Sequence, residues 1–348
     1  MSRYLGGLIT KDESLVIPAN SFENTSAPGV WTLEEAQMLA KQGLWPTAGN
    51  AAPKGIFAGG NTPTLIDTIQ YIDISSTGNA IDFGDLASAT WSGGSFSSST
   101  RGVFAGGNTG SIINVIQYVT IATTGDTTDF GDLSGGRRNL TGLGNATRGV
   151  VGGGVSDSTA NLDIIEYVTI ASTGNMTDFG NLTVARFSPS SFLSTTRGIF
   201  AGGEPSSGGG SNVIDYITIA SAGNATDFGD LEAILVGAFG VSSSTRGIIA
   251  GGNRANSAYT NVIQYVTIAS TGNAADFGDL SAAKAYGQGG TANTTRGVFG
   301  GGIGDARTNV MEYITIASTG DVTDFGDLSV AAFGLFSGMV SSNHGGLG

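Results

Sequence analysis

The sequence predicts an all-β fold, a six-bladed β-propeller, on three observations. Three sequence blocks recur six times in fixed order, each block has the pattern of a strand, and the repeat length suits a four-stranded unit. The first block is Thr100-Arg101-Gly102-Val103-Phe104-Ala105-Gly106-Gly107. It returns as TRGVVGGG at 147–154, TRGIFAGG at 196–203, TRGIIAGG at 245–252 and TRGVFGGG at 295–302, after a first copy, PKGIFAGG, at 53–60. Its basic residue falls at Lys54, Arg101, Arg148, Arg197, Arg246 and Arg296, so repeats start near these positions at steps of 47, 47, 49, 49 and 50 residues. The block reads as a short buried strand that a Gly-Gly pair stops.

The second block, Asn114–Ala122 in its second copy, alternates and is rich in β-branched residues, as strands are. It carries the tyrosines Tyr71, Tyr118, Tyr167, Tyr216, Tyr265 and Tyr313, read as core or inter-blade packing. A Ser-Thr-Gly-Asn type turn follows it, with residues that accept positive φ. The third block, Asp-Phe-Gly-Asp-Leu at 82–86, 129–133, 227–231, 276–280 and 324–328, makes a short outer strand, with Asn181 replacing the second Asp in copy three. A Gly/Ser-rich stretch such as 237–244 precedes each Thr-Arg-Gly and suits an innermost strand, where blades crowd an axis. The last such stretch, 333–343, is expected to join the first blade as a clasp, leaving 44–52 as a lead-in.

Composition narrows the function. The chain has 348 residues, 58 of them Gly, with 7 Pro, 1 His and no Cys. Cysteine chemistry and two-histidine zinc sites are thereby excluded. The net charge of −13 argues against nucleic acid and anionic membranes as partners. No apolar run is long enough for a membrane span, and Met1–Asn20 lacks the pattern of a secretory leader. Asp-Phe-Gly also occurs in kinases, but here it is repeated without a nucleotide loop and reads as structural. The Gly-Gly-Gly runs lack the Lys-Ser/Thr of a phosphate loop. The eleven aspartates of the third block are expected to accept backbone N–H groups at turns or to pair with the repeat's Arg; a ring of calcium sites is the alternative. No catalytic, cofactor-binding or metal-binding residue is assigned, and the chain is not expected to be an enzyme.

Residues 1–52 do not repeat and form a separate arm before the propeller of 53–348. Thr32 and Glu35 make a capping box for one helix over about 32–42. The arm's candidate anchoring residues are Tyr4, Leu5, Leu8, Ile9, Trp31 and Trp45.

In a four-stranded meander the loop between strands two and three shares a face with the link between blades. Those are the variable segments here: 108–113, 155–160, 204–211, 253–260 and 303–308, with the links around Trp91, Arg137 and Phe333. Aromatic and basic residues there form the candidate ligand face: Trp91, Arg137, Arg138, Arg186, Phe187, Arg254, Tyr259 and Lys284.

The Gly-Gly strand followed by a Tyr-bearing strand resembles the kelch repeat, with the Phe of Asp-Phe-Gly roughly where kelch repeats carry a tryptophan. The leader segments SRYLGGLIT at 2–10, APGVWTLEEA at 27–36 and QGLWP at 42–46 look like those of tailed-phage virion proteins. The repeats NVIQYVTIASTGN and DFGDL are similar to those of kelch-like structural or tail-fibre proteins of marine phages. The resemblance implies a virion protein, assembled in the host cytoplasm, whose arm binds other virion proteins. It also implies a propeller face offered to a host glycan or receptor, and a homo-oligomer. A capsid or tail decoration protein without a ligand is the alternative, and a kelch-like enzyme a remote one.

Overall fold

The structure, a computed structural model, describes residues 53–343 apart from 159, 255–257 and 288. The arm with its expected helix at 32–42, its anchoring residues, the 44–52 lead-in and His344 lie outside the described residues. Among the described residues there is no helix, and the chain is all-β, with its sheets in a propeller-like arrangement.

The second repeat shows the unit. Four antiparallel strands run in the order Gly94–Ser97, Arg101–Ala105, Val115–Thr120 and Thr128–Asp132. The same order recurs in the third to sixth repeats, from Thr141–Gly144, Ser190–Leu193, Phe239–Ser242 and Gly289–Ala292 outwards. These short Gly/Ser strands pack on one another, which their small side chains permit. The first repeat supplies three strands, Lys54–Ala58, Thr68–Asp73 and Ile81–Asp85. The free edge of Lys54–Ala58 is met by the C-terminal segment: Ile56 N donates to Val340 O at 3.0 Å and Ser342 N to Lys54 O at 2.9 Å.

Asp-Phe-Gly-Asp is a β-bulge. Ile116 pairs with Gly131 and Gln117 with Asp129, so Phe130 is the extra residue. The bulge turns Phe130 inward, 1% exposed, with its ring edge-on to Tyr118 at 5.8 Å between centroids. Gly131 has φ +148, and a Cβ there would overlap the carbonyl of Gly174 from the next repeat. Gly174 N in turn donates to Phe130 O at 2.7 Å. The motif is therefore the seat for the next repeat's Ser-Thr-Gly turn.

Neighbouring repeats are joined by three more bonds of one kind each. Asp132 N donates to the Asn175 side chain at 3.0 Å, and Ser134 N to Glu166 Oε1 at 3.1 Å. Arg101 stacks 4.6 Å over its own repeat's Tyr118 and donates to Ile170 O at 2.9 Å. This corrects the expected Asp–Arg pairing. The repeat's arginine holds an aromatic face and a strand-end carbonyl, while the second Asp of the motif is capped at its backbone N–H. The sixth and first repeats meet through the same set: Asp327 N to Asn79 Oδ1, Ser329 N to Gln70 Oε1 and Arg296 to Ile74 O, at 3.0, 2.6 and 3.0 Å. The hydrophobic clusters likewise straddle repeats, as where Phe96, Val103 and Phe130 pack with Val151 and Ile170.

Candidate binding face

The variable loops and the links between repeats do share a face, because they pair with one another. Trp91 bridges to Asn108, Arg138 to Val155, Phe187 to Glu204, Val236 to Asn253, Ala285 to Ile303 and Phe333 to Asn61. One residue further on, each link has a residue at positive φ: Ser92, Asn139, Ser188, Gly237, Tyr286 and Gly334. Their backbones form a cycle of hydrogen bonds. Ser92 N donates to Gly334 O, Asn139 N to Ser92 O, Ser188 N to Asn139 O, Gly237 N to Ser188 O, Tyr286 N to Gly237 O and Gly334 N to Tyr286 O, at 2.5–3.0 Å. The backbone under this face is thus fixed, and its side chains are free to differ.

The eight predicted ligand-face residues divide into two sets. Trp91, Arg138, Phe187 and Tyr259 are half-buried and Arg254 is exposed, so these five reach the surface. Arg137, Arg186 and Lys284 do not, and their assignment is corrected: they are 2%, 0% and 3% exposed. Each points inward to a buried acid. Arg137 pairs with Glu166, Arg186 with Asp215 at 2.9 Å and Lys284 with Glu312 at 2.7 Å. Burial pushes the Arg137 guanidinium down to about 10 and also lowers Arg186, against the opposing pull of Asp215.

The sequence carries a signal for these pairs. The residue before each repeat tyrosine is Gln70, Gln117, Glu166, Asp215, Gln264 or Glu312. At the equivalent link position stand Ala332, Thr90, Arg137, Arg186, Leu235 and Lys284 respectively. Cations occur only opposite acids. In every repeat a side-chain oxygen of the first set accepts a backbone N–H from the preceding repeat, as Gln117 does from Ala87 at 2.9 Å and Gln264 from Glu232 at 2.8 Å. Where that side chain is a carboxylate, its charge requires a buried cation.

Two features stand on the surface of this face. One is a ladder across several repeats: Arg307 lies 5.0 Å over Phe333, Phe333 meets Trp91 edge-on at 5.9 Å, and Arg138 lies 6.0 Å from the Trp91 ring. The other is a groove of 630 Å³ between the fifth and sixth repeats, lined by Tyr259, Ser281, Asp305, Arg307 and Thr308 among others, with the Lys284–Glu312 pair beneath. Asp305 and Arg307 are not among the predicted ligand-face residues, although 303–308 is unusual among the variable loops in holding both an acid and a base. Among the described residues no group of three or more His, Cys, Asp or Glu stands ready to hold a metal, and no helix is long and apolar enough to cross a membrane.

No protein-family model and no curated protein matches the chain. Among solved structures it is similar to that titled "Structure of YjhT", with a TM-score of 0.62 and 12% identity, covering 79% of this chain and 98% of that one. At that identity the likeness concerns the fold alone.

Proposed function

We propose that the six repeats form one closed six-bladed, kelch-like propeller with 333–343 as its clasp, and that the protein is a phage virion appendage subunit. In this reading the arm of residues 1–52 attaches the subunit to other virion proteins, and the variable face recognises a glycan or protein on the host surface. The observation that carries the recognition role is the contrast on one face between a cyclic hydrogen-bonded backbone and unlike loop sequences. Closure is supported by the bonds from the sixth repeat to the first, which repeat those between all other neighbours. The virion assignment rests on the resemblance of the leader and repeats. A binding role is favoured over catalysis because the buried charged residues Arg137, Glu166, Arg186, Asp215, Lys284 and Glu312 are paired with one another as internal supports.

The test is binding of the full chain to host cells, compared with Trp91→Ala and Arg138→Ala, whose side chains stack on this face. Loss of cell binding with an unchanged thermal midpoint supports recognition. Absence of binding by the unaltered chain returns the protein to decoration. Deleting residues 1–50 should abolish incorporation into particles; a truncated chain that still assembles refutes the anchoring role.

A further inference from the structure

We infer that the groove between the fifth and sixth repeats is a saccharide site, and that its ligand is a neutral oligosaccharide of a few sugar units. The inference rests on the reading of this face as a recognition surface and names the place and the chemistry. The groove's volume, 630 Å³, lies within the range of small-molecule sites, roughly 300–1,000 Å³. Its floor and walls are small, Ala282, Ala283, Gly304 and Ala306, so backbone and ligand approach closely.

Around this floor stand groups that suit sugar hydroxyls. The Asp305 carboxylate only accepts hydrogen bonds, the Arg307 guanidinium only donates, and the hydroxyls of Ser281, Thr308 and Tyr259 do both. A polyol presents donors and acceptors in alternation, which such a mixed set satisfies and a purely cationic or purely apolar set does not. Tyr259 adds an aromatic ring for the apolar face of a pyranose. Arg307 has contacts of its own on the surface: it lies 5.0 Å over the Phe333 ring and donates to Asn61 Oδ1 at 3.4 Å. Contacts of this kind narrow the side chain's range, so less freedom is lost on binding.

Charge decides between neutral and acidic sugars. The chain carries −13, and Arg307, the exposed cation of the groove lining, is two residues along the chain from the exposed Asp305. The Lys284 ammonium below is already neutralised by Glu312 at 2.7 Å. Neither the local nor the overall field attracts an anionic saccharide.

The experiment uses the full chain against maltotriose, cellotriose, chitotriose and, as the anionic probe, an oligogalacturonate, with saturation-transfer NMR and calorimetry. Ala282 and Ala306 are exposed, so Ala282→Trp fills the groove without removing an internal contact. Arg307→Ala removes the guanidinium donor. Ser111→Trp, an equally bulky change at an exposed position in the second repeat's loop, is the control. Binding of a neutral probe, weakened about tenfold or more by Ala282→Trp and Arg307→Ala and left within about twofold by Ser111→Trp, is the expected result. Equal binding by Ala282→Trp overturns the placement, and binding of the oligogalacturonate alone overturns the neutral ligand. If no probe binds while the chain still binds host cells, the saccharide site falls and the recognition face stands. If neither binds, both fall.

Discussion

Replacing Lys284 by Leu should leave the Glu312 carboxylate buried without its cation. In the folded protein the ammonium lies 2.7 Å from Glu312 Oε2, and the side chains are 4% and 2% exposed. Removing one partner of such a pair costs about 3–5 kcal/mol, because the remaining charge keeps its desolvation penalty. At roughly 2–4 °C per kcal/mol, the scale for domains of about 150–250 residues, Lys284→Leu should lower the melting midpoint by about 6–20 °C. The molecule itself supplies the rescue. Where the fourth repeat meets the fifth, Leu235 and Gln264 occupy the equivalent positions, and Gln264 Oε1 accepts Glu232 N at 2.8 Å. Adding Glu312→Gln to Lys284→Leu reproduces that arrangement, with the amide oxygen accepting Ser281 N as Glu312 Oε1 does at 3.0 Å. The double variant leaves an amide Nε2 without a partner, as at Gln264, so it should lie about 1–2 kcal/mol below the unaltered protein. Thermal and urea unfolding of the four proteins of the cycle should give a coupling of about 2 kcal/mol or more. Additive single effects would refute the coupled-pair argument. A loss of saccharide binding with no loss of stability in Lys284→Leu would return Lys284 to the ligand face.

Three further outcomes follow from the same contacts. Gly131→Ala should destabilise by about 2 kcal/mol or more, read by urea unfolding, since it meets both a positive φ and the carbonyl of Gly174. Deleting 333–343 exposes the edge of Lys54–Ala58 and should lower the thermal midpoint; an unchanged midpoint counts against the clasp. Asp85 has its carboxyl raised above the usual range by desolvation and then by Asp67, Asp126 and Asp82. A raised folded-state value means that the folded chain binds the proton more tightly than the unfolded one. Stability from this group is therefore present at acid pH and lost as pH rises through its folded value. Asp85→Asn should raise the stability slightly at pH 7, by under about 1 kcal/mol at this exposed site, with the gain fading towards pH 3. A gain that is the same at both pH values refutes the repulsion.

The strands, the turns and the variable face were legible because each follows from a local pattern: Gly-Gly after an apolar run, alternation around the tyrosine, positive-φ residues after it. The β-bulge at Asp-Phe-Gly-Asp was not, since Gly131 is required by the next repeat's Gly174 rather than by its own neighbours. The cycle through Ser92, Asn139, Ser188, Gly237, Tyr286 and Gly334 has no common residue type to betray it. The groove depends on loops of two repeats converging, so Tyr259 could be singled out and Asp305 and Arg307 could not.

Arg137, Arg186 and Lys284 show how variation among repeats should be read. By pattern alone a charged residue that differs between repeats reads as a surface residue, on the ground that packing does not constrain it. Yet these three stand opposite the acids Glu166, Asp215 and Glu312, while the uncharged Thr90, Leu235 and Ala332 stand opposite Gln117, Gln264 and Gln70. Variation that is matched by a partner in the neighbouring repeat is itself a product of packing: a buried acid and its cation are exchanged together, because either alone is costly. On the proposed reading, recognition would fall to positions that vary without such a partner. By that criterion Tyr259, Asp305 and Arg307 remain, together with Trp91, Arg138, Phe187 and Arg254, and a test for a ligand should begin from them.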